Sequence, residues 1–365
     1  MNTLERCFWG SKEKKPQNMI DARLERSMLN RFADGARSAA GITILATAAL
    51  LVAATIDKGP YIIVNTIVTG GMWALMSMGL ALVFGVMNIP HFAVGEFFMT
   101  GGLVAFFAVT PLNDFLSKHP QPFVSAVSPL IAIFAAALAG YLLGVLSEWI
   151  IFRPLRKRSR EQWVMNTFLL TLGISVFMIN GHQLVFGTEF KGIVNYWNYP
   201  SLSIFGVYIS FDRVFVFTFA VIVMAALGVF MKFARMGQAI RAVSQDETGA
   251  LMVGIRLNKI HALTMGLSCG LGALAGACLL FMFPSYPTVG IGPLYNAWFV
   301  VIVVGLGNVA GTAVGGFIVA LFQILTTVYI GEGYGFVVPS ILIIIILIFK
   351  PSGIFGSPVR GVLDR

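Results

Sequence analysis

Few side chains in this sequence could do chemistry, and the pair that stands out is His91 and Glu96, in the run NIPHFAVGEFFMTGG. A carboxylate inside an apolar run is costly in lipid, so it is expected to face a protein interior or water and to find a polar partner. His91 lies five residues earlier, about 140° around a regular helix, so a direct pair requires the chain to be redirected at Pro90. Two roles remain open for Glu96, a hydrogen bond to the backbone amides of an interrupted helix, as a cap does, or contact with a transported solute. A membrane-embedded enzyme would need a nucleophile, an acid and a base converging, and His91 with Glu96 is the one pair to test for it. No G-x-x-x-x-G-K-[ST] or H-E-x-x-H run occurs, so nucleotide hydrolysis and zinc-dependent peptide hydrolysis lack the runs that would carry them. If ATP drives this protein, another subunit binds it. Cys7, Cys269 and Cys278 are too few for a disulfide framework and lack metal spacing; neither a metal nor a cofactor is expected.

A second pattern concerns the backbone. Gly85-Val86-Met87-Asn88 followed by Gly95 matches Gly305-Leu306-Gly307-Asn308 followed by Gly315. Gly, Asn and the nearby Pro90 interrupt a helix, and freed backbone groups at membrane depth are tolerated only where they face protein or a water-filled cavity. Paired interruptions in two halves of a chain point to a transport pathway. Alternatively, the glycines only let helices pack closely.

The elements that carry these residues follow from composition. Hydrophobic residues make up 57% and charged residues 11%, the mean hydropathy is +0.84, and a soluble domain carries roughly 25% charge. The chain reads as an all-α polytopic membrane protein. Segments long enough for the roughly 20 apolar residues of one crossing lie near 39–56, 61–86, 91–110, 122–151, 163–186, 211–231, 261–283, 311–330 and 334–349, and a shorter apolar piece spans Leu294 to Leu306. The expectation is about ten membrane segments, some broken or half-spanning.

Basic residues beside membrane ends stay on the cytoplasmic side. They gather in the first 38 residues, in RPLRKRSR from Arg153 to Arg160, and in the stretch from Arg235 to Lys259. Four crossings separate the first two clusters and two more separate the second from the third, which puts all three on one face. Lys350, Arg360 and Arg365 ask for a cytoplasmic C-terminus too. The net charge of +9 is accounted for by topology and anionic lipid, not by nucleic acid. Three regions result: a cytoplasmic extension at 1–38, a transmembrane domain at 39–350 and a cytoplasmic tail at 351–365. In the extension Ile20, Leu24, Met28 and Phe32 recur among Arg23, Arg26 and Arg31, as in a basic amphipathic helix lying on the inner membrane surface. A signal peptide is not expected, because the charged leader is too long and the apolar run after it is of span length.

The stretch RMGQAIRAVSQDETGALMVGIRLNK, Arg235 to Lys259, is charged, free of proline and rich in helix formers. Ile240, Val243, Leu251 and Ile255 fall near one face at about 100° per residue. A membrane protein that keeps such a helix in water has something soluble to press it against.

Five blocks in order, MGLALVFGVMNIPHFAVGEFFMTGG, FRPLRKRSR with TFLLTLGISVFM, the stretch from Arg235 running on to NKIHALTMGLSCGLGALAGA, VVGLGNVAGTAVGGFIVAL and FKPSGIFG, resemble the branched-chain amino acid permease family of bacterial ABC importers. The resemblance covers about residues 60 to 355. It implies a multi-pass subunit of the bacterial inner membrane, paired with a second, similar permease, two cytoplasmic ATP-binding cassette subunits and a periplasmic solute-binding protein, with membrane lipid around it. Arg235 to Lys259 would be the coupling helix, with Arg235, Gly237, Arg241, Ala242, Asp246 and Gly254 matching the family's pattern. Asn88, His91, Glu96, Thr171, Gly305 and Asn308 become the candidates for the translocation pathway. The chain departs from the family where Asn commonly precedes Phe-Ala and His precedes Gly-Glu; here His91 and Val94 stand. Similar permeases serve urea or short amides, so that substrate class is the alternative, and a secondary carrier or channel is another.

Overall fold

The computed structural model describes residues 39–118, 122–158, 162–193, 201–204 and 207–356. The expected amphipathic helix of the extension, Cys7, Arg160, Arg360 and Arg365 lie outside these residues. By its internal contacts the chain forms two units, Met1–Ala48 and Ala49–Arg365. Of the first, only the opening turns of a helix are described; everything below concerns the second.

The helices follow the apolar runs closely. They are α1 (Ala39–Lys58), α2 (Tyr61–Met87), α3 (Val94–Lys118), α4 (Pro122–Ser147), α5 (Arg153–Arg158), α6 (Trp163–Phe186), α7 (Phe211–Phe233), α8 (Arg235–Gln245), α9 (Glu247–Met252), α10 (Leu257–Leu280), α11 (Ile291–Val304), α12 (Val309–Tyr329) and α13 (Val337–Phe349). Among the described residues, nine helical stretches are long and apolar enough to cross a membrane, α4 and α5 counting as one. α11 has 14 residues, about 21 Å at 1.5 Å per residue, and does not reach across a hydrocarbon core of about 30 Å. This is the half-length segment expected at Leu294 to Leu306, shifted slightly towards the N-terminus.

Two helices form the centre. α10 packs against α4, α3 and α2, and α12 lies along α2. Both α2 and α10 are apolar on all sides and buried over most of their length, as a helix enclosed by others must be. Lipid tails are as apolar as leucine, so these contacts depend on close packing and not on expulsion of water. Gly276 of α10 meets the carbonyl of Phe98 on α3, and Gly101 of α3 meets the backbone at Ala273. A methyl group at either position would overlap the facing main chain. By contrast α6, α13 and much of α4 expose large apolar side chains such as Phe134, Phe177, Leu184 and Phe349, as lipid-facing or partner-facing helices do.

Three features were not expected. Between α4 and α5 the helix passes through a π-helical turn, Glu148–Phe152. A short antiparallel hairpin pairs β1 (Leu202–Ile204) with β2 (Val207–Ile209), Leu202 opposite Ile209. Lys191 and Ser285 also exchange backbone hydrogen bonds of 2.9 and 2.7 Å, joining the chain after α6 to the chain after α10.

Candidate functional site

Both interruptions occur where the glycine and asparagine pattern places them. α2 ends at Asn88, which adopts a left-handed conformation with φ 51° and returns its N–H to Phe84 O. Ile89 and Pro90 follow, and the residue before a proline is turned away from helix. α11 ends at Gly305, with φ 112°, and Gly307 has φ 84°, conformations that favour glycine. The two breaks touch. A Cβ on Gly85 would lie 2.9 Å from Gly307 Cα, so the repeated motifs meet backbone to backbone.

The carbonyls freed at the breaks are satisfied by different donors, as groups away from water must be. At the first break, Trp163 Nε1 donates to Met87 O at 2.9 Å and Thr171 Oγ1 to Pro90 O at 3.0 Å, both from α6. At the second, Ile354 N donates to Val303 O and Phe355 N to Val304 O, at 2.8 and 3.0 Å. Asn308 completes this join. Its Oδ1 accepts from Gly311 N and its Nδ2 donates to Phe355 O, both at 3.0 Å, so its whole amide serves as a helix cap and tie.

His91 and Glu96 do not bond to each other. His91 is enclosed, with Nε2 3.7 Å from Cys269 Sγ and its ring against Phe97 and Phe152. Glu96 sits in the first turn of α3, and its Oε1 accepts from Ser175 Oγ of α6 at 2.7 Å. The bond to backbone amides considered for Glu96 is therefore replaced by a bond to a neighbouring helix, while Oε2 is buried without a partner among the described residues. One turn on, Thr100 Oγ1 lies 3.2 Å from His182 Nε2. Thr171, Ser175 and His182 thus form a polar stripe on a helix whose other faces are exposed and apolar. Thr171 was expected in the pathway, whereas Ser175 and His182 went unnoticed, although their spacing from Thr171 was a readable signal.

Two cavities adjoin both breaks. One, of about 530 Å³, is almost wholly apolar and takes in Phe84, Pro90, Phe92, Phe168, Trp298 and Gly305. Phe92 stacks on Trp298 with ring centroids 5.0 Å apart. The other, of about 460 Å³, is lined by Gly85, Gly307 and Asn308 on one side and by Ile240, Arg241 and Ser244 of α8 on the other. The charged stretch therefore borders the same space as both interruptions.

That stretch is two helices and not one. Asp246 breaks it with extended backbone (φ −155°) and caps α9, its side chain accepting from Thr248 N at 3.0 Å. The expected apolar face is half correct. Ile240 and Val243 are buried, but Leu251 is 53% exposed and Ala250 is buried instead, because the bend at Asp246 resets the helical phase. Gly237 is buried against the end of α7, where a Cβ would meet Phe230 O. Gly254, with φ 85°, ends α9. Arg235 and Arg241 are exposed and Ala242 half-buried. The sequence reading missed Met252 and Val253, 85% and 76% exposed at the tip of a charged segment; the run LMVG was the signal.

The sequence model of the family described as branched-chain amino acid transport system, permease component, matches residues 62–347. The chain belongs to this family. It is 30% identical to the high-affinity branched-chain amino acid transport system permease protein BraD of Pseudomonas aeruginosa, covering 81% of this permease and 95% of that protein. It is 26% identical to the corresponding protein LivH of Escherichia coli, covering 80% and 94%. The probable branched-chain amino acid transport permease protein LivM of Methanocaldococcus jannaschii is 22% identical, with 78% and 90% covered. No solved structure matches the permease.

Proposed function

We propose that this permease carries branched-chain or similarly hydrophobic amino acids into the cell across the bacterial inner membrane, as one subunit of an ATP-driven importer. The observation that carries the reading is the cavity shared by α8 and the two touching breaks. A cytoplasmic ATPase bound to α8 and α9 would move Ile240 and Arg241, and the packing of α8 against α2 passes the movement to Gly85 and, across the touching breaks, to Gly307 and Asn308. Alternating access then follows from rigid shifts of packed helices, driven by the partner's change of state. The apolar, aromatic cavity beside the same breaks suits an aliphatic side chain better than urea or a short amide. The names borne by the relatives support the same substrate class.

In this reading Met252 and Val253 form the contact with the ATPase, and both chain ends lie on the cytoplasmic side with α8 and α9. A second, similar permease subunit and an external solute-binding protein complete the system. The test is reconstitution with the partner subunits in proteoliposomes. Met252→Asp with Val253→Asp is expected to leave the permease folded while lowering ATP-dependent leucine uptake by about tenfold or more, as loss of a central apolar contact does. Unchanged uptake in this variant would move the ATPase contact elsewhere. Uptake by the permease alone, down a gradient, would mean a carrier or channel.

A further inference from the structure

A third cavity, of about 490 Å³, opens beside the first break, among Asn88, α5, α9 and the start of α10. We propose that it binds a phosphate group, the chemistry shared by a phosphatidylglycerol headgroup and free hydrogenphosphate.

Three cations, Arg153, Arg156 and Lys157, line it against one carboxylate, Glu247. Basic residues at the end of a membrane span have an ordinary topological explanation. His261 does not. It is 2% exposed, it lines the cavity, and neither ring nitrogen has a hydrogen-bond partner among the described residues. A neutral imidazole presents one donor and one acceptor, and burying both unpaired is costly. A phosphate oxygen accepts the ring N–H and so pairs one of the two nitrogens, while Arg153 and Lys157 hold its charge.

The site is built in advance. The π-helical turn carries the chain into α5 with Glu148 buried, and Glu148 Oε1 holds Arg156 Nη2 at 3.0 Å. The Arg156 guanidinium lies 5.2 Å from the centre of the Trp163 ring, and Trp163 is itself fixed to Met87 O. Arg156 is thus locked in place, and Arg153 and Lys157 remain to meet an anion. On the same π-helical turn Trp149 and Ile150 are 63% and 56% exposed, an apolar surface along which acyl chains could lie. A ligand here would touch Glu247 and Leu251 of α9, so its presence bears on the element assigned to the ATPase contact; that consequence, and not the binding itself, rests on the proposed function.

The experiment uses the full permease with its partner subunits in nanodiscs of phosphatidylcholine, with or without phosphatidylglycerol, and with inorganic phosphate as a separate probe. Native mass spectrometry reads retained lipid, and thermal unfolding reads stabilisation. Retention of phosphatidylglycerol that falls about fivefold for each basic residue removed, in Lys157→Gln and again in Arg153→Gln with Lys157→Gln, and falls in His261→Phe, supports a lipid headgroup. Stabilisation by inorganic phosphate in pure phosphatidylcholine, lost in the same variants, supports a soluble phosphate. Lys259→Gln, a basic change outside the cavity, is expected to alter neither. If Lys157→Gln, an exposed position where folding is not at risk, matches the wild type in both measurements, or if Lys259→Gln lowers retention equally, the site is overturned. Leucine uptake measured in parallel reports on the importer reading separately, since it can persist whether or not phosphate binds.

Discussion

At the scale of single residues, Glu96 carries the sharpest consequence. One of its oxygens is committed to Ser175 and the other is buried without a partner among the described residues. Glu96→Gln keeps the acceptor that Ser175 needs, and replaces the free oxygen with an amide NH2, removing the charge and one acceptor. If the free oxygen faces the route of a zwitterionic amino acid, this change lowers uptake about tenfold, the worth of one charge-assisted hydrogen bond, with the complex still assembled. Uptake equal to wild type would mean that Glu96 serves only to hold α6. The sequence made Glu96 conspicuous because a lone carboxylate in an apolar run is rare, yet it suggested His91 as neighbour where the structure supplies Ser175. Nothing in a linear reading announces a partner 79 positions away. His91 was visible as a second polar group in the same run, and Asn308 through the repeated glycine and asparagine pattern. His91 Nε2 lies against Cys269 Sγ, and the Asn308 amide goes to Gly311 N and Phe355 O.

At the scale of elements, the spans were legible to within a few residues at most ends, because a hydrocarbon core demands long apolar runs and this chain separates them with Gly, Pro and charge. The π-helical turn was not legible. Its sequence, EWIIF, continues the run from α4 without a Gly or Pro to mark it. The bend at Asp246 was likewise hidden, since Asp was counted as one charged residue of a helix and not as the cap that starts a second one. The crossing of α3 and α10 depends on absent side chains. Gly276→Val would press two methyl groups into the Phe98 carbonyl and is expected to destabilise the permease by about 1–3 kcal/mol. A lower unfolding temperature of the purified protein in detergent is the measurement; an unchanged value would mean that the crossing yields easily.

For the whole molecule, the order of the spans is now fixed by structure, while their direction across the membrane is a proposal that a labelling experiment decides. Lys157→Cys and Met252→Cys are expected to react with a membrane-impermeant thiol reagent only from the cytoplasmic side, and Glu189→Cys, after α6, only from the outside. In a Cys7→Ser background the remaining cysteines, Cys269 and Cys278, are buried and give a low background. Reaction of Met252→Cys from outside would reverse the topology. The repeated motif was legible, but its asymmetry was not. One break is closed by α6, with α3, α4 and α5 between them in the chain, and the other by residues 354 and 355. This sets an order on biosynthesis. The first break can be closed while the ribosome is still making the middle of the protein. The second must wait, its carbonyls at Val303 and Val304 unanswered, until α12 and α13 have entered the membrane and the KPSGIFG turn has emerged behind them. For that interval the nascent permease depends on water, the insertion machinery or a chaperone to shelter those two groups.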